Sequence, residues 1–180
     1  MGFQLQLLKW MPGIIWGWFL HLGCIYVPVV FFHFAFYFSD KRQGFIFVKI
    51  AYLIATIFIL LNTFTTSFTQ ETIYRDFFAY PKPALLYPLY ILFFQIVGFG
   101  STLLLIQKGR GLPSNAWGIF YLFLIVYLLA YLGSMDNFLI MYDIRIFPLY
   151  PYGLYMIPPF VIFGSYAVSK LLSIDQTSRV

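Results

Sequence analysis

Five stretches of this chain stay apolar for about 20 residues or more, near residues 14–38, 45–64, 85–107, 116–135 and 149–172. At 1.5 Å of rise per residue, an α-helix of about 20 residues crosses a hydrocarbon layer roughly 30 Å thick. Lipid supplies no hydrogen bonds, so spanning backbone must be helical or part of a closed barrel. Barrel strands would be short and alternate apolar with polar positions, and these blocks do not alternate. The expected fold is therefore all-α, a polytopic transmembrane bundle of about five helices over residues 14–175. Residues 1–13, with Trp10 and Lys9 near the first block, are expected to be an interfacial or frayed leading segment, and 176–180 a cytoplasmic tail. A cleaved signal peptide fits poorly, because the first block is long and no soluble body follows it.

Composition excludes the soluble alternative. The chain is 62% hydrophobic and 9% charged, where a soluble domain carries roughly 45–50% and 25%. A fold of this length in water cannot hide so much apolar surface. The 23 Phe and 15 Tyr suit lipid-facing helices that end in an interfacial aromatic belt. No polar run is long enough for a second domain.

Turn-forming residues separate the blocks: Ser39, Asp40 and Gly44 after the first, and Gly109, Gly111 and Pro113 after the third. The second connection, 65–84, is longer and carries Pro81 and Pro83, and the fourth, 136–148, mixes charges with apolar residues. Proline also falls inside blocks, at Pro28 and at the pair Pro158 and Pro159. There it frees carbonyls and bends the helix, which makes Pro158 and Pro159 a candidate hinge.

With alternating connections, one face collects Lys41, Arg42, Lys49, Lys108, Arg110, Lys170 and Arg179, and the other Lys9, Arg75, Lys82 and Arg145. The richer face is expected in the cytoplasm, placing the N-terminus outside and the C-terminus inside. The net charge of +5 then reads as a basic rim beside anionic lipid, not a nucleic-acid surface.

Chemistry is sparse. Cys24 is the single cysteine, expected to be a small buried hydrophobe. His21 and His33 have no acid at metal-ligand spacing, and no phosphate loop, nucleophile elbow or zinc helix is present. The residues call for no metal, cofactor or catalytic group, so no enzymatic activity is expected. Polar residues in or beside the apolar blocks are the better leads, because each is costly in lipid unless paired. His33, Gln95, Asp136, Asn137, Asp143, Arg145, Arg75 and Lys82 form the candidate ligand or input region, with Asp136 and Asn137 placed just beyond the fourth block. Structural pairing and an ordinary aromatic belt are the competing readings.

Several motifs together carry a resemblance. Tyr80-Pro81-Lys82-Pro83 leading into Leu86-Tyr87-Pro88-Leu89, then Asn137-Phe138-Leu139 followed by Ile144-Arg145-Ile146-Phe147-Pro148-Leu149, come in that order. Leu171-Leu172-Ser173-Ile174-Asp175 closes the last block, and Pro28 with His33-Phe34 marks the first. This series resembles the N-terminal seven-helix membrane region of bacterial sensor histidine kinases, and it covers the last five helices only. The resemblance implies a bacterial inner-membrane protein and a signal-input module. The kinase domains of such proteins are not among these residues, and two further helices would be expected ahead of Met1.

The expected function is thus a membrane-embedded sensory module without catalytic output. Its partners would be the lipid bilayer and either a second copy or a cytoplasmic signalling protein. The alternatives are a structural membrane anchor or subunit and a small transporter or channel-like protein. A transporter would show inverted repeats, which five unequal blocks do not supply.

Overall fold

The computed structural model describes residues 13–41, 44–75, 78–147 and 153–177, with the side chains of 13–21, 71–72, 74–75, 78–81, 154, 172 and 175–177 outside that description. The leading segment 1–12 and residues 178–180 of the tail therefore lie outside it, as do Arg42, Tyr150 and Tyr152. The fold is all-α with five helices: α1 Gly13–Phe38, α2 Phe45–Phe64, α3 Tyr87–Arg110, α4 Trp117–Met141 and α5 Ser165–Thr177. Three helical stretches are long and apolar enough to cross a membrane, Phe45–Phe64, Tyr87–Arg110 and Ser114–Met141, and Leu22–Phe38 and Ile157–Leu171 are shorter apolar ones.

Burial shows why water is the wrong solvent. On α2, Val48, Ala51, Ala55 and Phe58 turn inward while Ile46, Ile50, Leu53, Ile57 and Leu60 are exposed. Both stripes recur every three to four residues, so one helix carries a core face and an outer face of equal apolarity. A helix that is apolar all round is either fully buried or in lipid, and this one is not buried. The same holds for Leu89, Leu92, Ile96, Phe99 and Leu103 on α3, and for Ile125, Leu129 and Leu132 on α4. The protein is a membrane-embedded, multi-pass helical bundle.

The long second connection is not a plain loop. It folds into an antiparallel hairpin, β1 Thr69–Arg75 and β2 Phe78–Pro83, paired as Thr72↔Pro81, Ile73↔Tyr80 and Tyr74↔Ala79. Proline normally argues against a strand because it donates nothing to the ladder. In a two-stranded ribbon every strand has a free edge, so Pro81 and Pro83 are tolerated. Two further bonds fasten the base, Ala84 N–H to the Phe68 carbonyl at 3.1 Å and Leu86 N–H to the Ser67 carbonyl at 2.9 Å.

The chain divides into two compact units, Met1–Leu104 and Leu105–Val180. In the first, α1 packs on α2 and on the hairpin. Its core is aromatic: Phe68 and Tyr90 are fully buried and Tyr87 nearly so, with Phe58 and Tyr87 each in ring contact with Phe68 and Tyr90 at 5.3–5.7 Å. Tyr90 also repairs α1. Pro28 has no N–H to give the carbonyl four residues back, which is that of Cys24. The Tyr90 hydroxyl donates to that carbonyl at 2.9 Å, restoring a bond that lipid could not. The Cys24 side chain is exposed on α1, not buried as its apolar setting suggested.

Two helices end alike. Asp40 and Asp143 adopt positive φ, 54° and 62°. Lys41 N–H reaches the Phe36 carbonyl and Asp40 N–H that of Tyr37, while Ile144 N–H reaches Leu139 and Asp143 N–H reaches Ile140. These are paired Schellman bonds, which close a helix through one left-handed residue, usually glycine. A side chain there costs about 1–2 kcal/mol in backbone energy. Asp143→Gly is therefore expected to stabilise the second unit by about 0.5–1 kcal/mol, after allowing for the extra chain entropy of glycine and its half-exposed pair with Arg145. Denaturing-detergent titration of the purified protein checks this, and an unchanged or lowered midpoint counts against it.

Candidate functional site

The eight polar candidates fall four to each unit: His33, Arg75, Lys82 and Gln95 in the first, Asp136, Asn137, Asp143 and Arg145 in the second. His33 bridges α1 and α2, its Nδ1 lying 3.4 Å from the Tyr52 hydroxyl with its ring edge-on to Phe45 and Tyr52. Two turns earlier on α1, the Tyr26 hydroxyl meets the Thr56 hydroxyl at 3.1 Å. These contacts are a seam that fixes one helix against the other. Gln95 is half-buried on α3 and Lys82 is exposed on β2, while the Arg75 side chain is outside the described residues. Asn62 is held at the base of the hairpin, its Oδ1 accepting from the Thr69 hydroxyl at 2.8 Å.

The second unit holds the less expected arrangement. α4 does not stop near residue 135 but continues to Met141, so Asp136 and Asn137 are helical and not in the connection. A polar pair in an apolar run looks like a helix end, yet the capping turn comes later, at Asp143. Asp143 itself pairs with Arg145, two residues on, at 3.7 Å, both half exposed.

Asp136 is 5% exposed, and its Oδ1 is buried without a hydrogen-bond partner. Opposite it begins the last helical run, a 3₁₀ turn Gly153–Met156 that passes into Ile157–Pro159, a π-helical turn Phe160–Gly164 and then α5. The two elements meet backbone to backbone. A Cβ on Gly153 would lie 2.6 Å from Asp136 Cβ, 2.7 Å from the Gly133 oxygen and 3.1 Å from Asp136 Oδ2. A Cβ on Gly133 would in turn meet Met156 Cβ at 3.1 Å. Gly133 and Asp136, three apart, share one face of α4, and both need a glycine across from them.

The proline pair sits six residues into this described run, nearer its start than its middle. Without N–H groups, Pro158 and Pro159 cannot supply the i→i−4 bonds to the Leu154 and Tyr155 carbonyls. The wider π turn follows at once, an irregularity that often marks a functional position. Its first residue anchors it: the Phe160 ring lies 6.5 Å from Phe123 and 6.2 Å from Tyr127 on α4. Gly164 has no side chain and leaves room for that ring, since its Cβ would fall 3.2 Å from it. Sequence reasoning found the prolines but not the π turn or the Gly133–Gly153 crossing. The spacing of Gly133 and Asp136 was the one available signal.

The class these features define is a multi-pass membrane bundle whose last helical run is irregular between Gly153 and Gly164, with a buried acid facing the start of that run. Compared with known proteins, the chain matches no family model, no curated protein and no solved structure.

Proposed function

We propose that this chain is a membrane-embedded signal-input module of the kind found at the N-terminus of bacterial sensor histidine kinases, without catalysis of its own. On this reading it has five spans in a bacterial inner membrane, with the N-terminus outside and the C-terminus in the cytoplasm. Input enters through the two outer connections, each in its own unit: the hairpin, with Arg75 and Lys82, and the segment that follows α4, with Asp143 and Arg145. Output leaves along α5 to a second copy or a cytoplasmic partner. The observation that carries the reading is the last helical run, in which Pro158, Pro159 and the π turn offer a bend directly ahead of α5. The order of the Pro-Lys-Pro, Asn-Phe-Leu and terminal Ile-Asp motifs supports the same class.

The test fuses the chain to a dimerising kinase output and compares it with a generic membrane anchor. Replacing Pro158 and Pro159 together by Ala is expected to shift the output at least about fivefold, the lower range of ordinary coupling energies. Wild-type output from the double variant rejects the hinge. Output identical to that of the generic anchor rejects sensing.

Orientation has its own test. In a Cys24→Ala background, an impermeant thiol reagent added outside is expected to label Gln70→Cys and not Gly111→Cys. Both positions are exposed, whereas Gly109 lies under the Phe120 ring and would mislead. The reverse labelling overturns the assignment.

A further inference from the structure

We propose that Asp136 is a proton-binding site of the second unit, exchanging a proton where α4 meets the Gly153–Met156 turn. The inference rests on local geometry and stands whether or not the chain signals.

Two observations support it. The first is the orphaned oxygen: Asp136 is 5% exposed and its buried Oδ1 has no partner. Buried charge in a membrane segment is normally paired, and an acid without a pair marks function more often than structure. The second is the wall facing it. Gly133 and Gly153 approach so closely that neither could carry a side chain, so on this side the acid faces backbone and not a movable group.

Among the described residues no cation is paired with Asp136. Of the run packed on α4, Gly153–Met156 contributes only Tyr155 as a titratable residue, and it is 73% exposed. The Ile157–Pro159 turn, the π turn and the Ser114–Ala116 turn carry no titratable side chain. On α5, Tyr166 and Lys170 are both exposed, and the Asp175 side chain lies outside the described residues. On α4 itself Tyr121 is exposed, Tyr127 is buried and Tyr131 is half-buried. Beyond the helix end Tyr142 is exposed, and Asp143 and Arg145 engage each other. No ion pair joins Asp136 to any of these among the described residues.

The occupant follows from the ligand count. A metal cation of the oxygen-binding kind needs about six to eight donors, and the described residues hold no group of three or more His, Cys, Asp or Glu. A proton needs one oxygen. It removes the charge and turns an unpaired acceptor into a hydroxyl that can donate.

An apolar carbodiimide, N,N′-dicyclohexylcarbodiimide, reads this state in the full chain reconstituted in phosphatidylcholine vesicles. It reacts with a protonated carboxyl: the acid proton goes to a carbodiimide nitrogen and the carboxylate oxygen bonds to the central carbon, leaving an acylisourea that rearranges to a stable acylurea. Peptide mass spectrometry is expected to find Asp136 modified at least about tenfold more than Asp143, because the apolar reagent concentrates where a membrane acid lies. Modification should rise steadily as the pH is lowered from about 10 to about 5, and Asp136→Glu should keep it. Absence of modification at every pH overturns the proposal. So does modification that is the same at every pH, which would show a proton that never leaves. Suppression by sodium but not choline at fixed pH would overturn the proton in favour of a metal cation.

Discussion

Gly153→Val is expected to destabilise the second unit by about 3 kcal/mol, the upper end for overpacking a close-fitted site. The reason is what the new atoms meet. Already the first carbon would sit 2.6 Å from Asp136 Cβ and 2.7 Å from the Gly133 backbone oxygen. A flexible side chain could turn aside, but backbone cannot move without separating the final helical run from α4. Phe160 would then lose its seat beside Phe123 and Tyr127. Gly118→Val is the matched control, because a Cβ there meets nothing within 4 Å. Unfolding midpoints in denaturing detergent separate the two. Equal midpoints would show that the Gly133–Gly153 crossing does not hold the unit together. The variant also bears on Asp136, since prising the crossing apart admits water and should abolish the selective carbodiimide reaction.

What was legible in the sequence was set by one-dimensional pattern. Unbroken apolar blocks can form only helices in lipid, so the all-α class followed from Ile46 to Leu60 and their counterparts without tertiary knowledge. Helix ends were harder, because two of them close on aspartate. Asp40 and Asp143 take a left-handed turn that glycine usually takes, and nothing local announces it. Asp136 and Asn137 looked like a loop because polarity and helix end usually coincide, yet α4 runs on past both. The hairpin was hidden by Pro81 and Pro83, which speak against strands in any wider sheet. Pairings across the chain were the least visible. Pro28 announces that the Cys24 carbonyl needs a donor, but the donor, Tyr90, is 66 residues away. Likewise Asp136 was visible as a costly group, while its burial depends on Gly153, beyond the next connection.

In the first unit the largest loss is expected from Phe68→Ala, at roughly 4 kcal/mol for deleting a fully buried aromatic ring. Phe68 precedes β1 by one residue and is 0% exposed. Its ring touches Phe58 on α2 at 5.7 Å and Tyr87 and Tyr90 on α3 at 5.3 and 5.7 Å. Its side chain thus joins the base of the hairpin, α2 and α3 in one core. Its backbone would still bind Ala84, so the hairpin would keep its ladder and lose its footing. Tyr90 would be loosened in turn, and with it the donor that completes α1 at the Cys24 carbonyl. Phe64→Ala is the comparison, only four residues earlier and 77% exposed, with an expected change within about 0.5 kcal/mol. Two readouts report the difference, the detergent unfolding midpoint and tryptic cleavage after Arg75. Phe68→Ala should lower the first and speed the second, whereas Phe64→Ala should change neither. If the two variants behave alike, the aromatic cluster is not the core of this unit, and the hairpin owes its position to α1 alone.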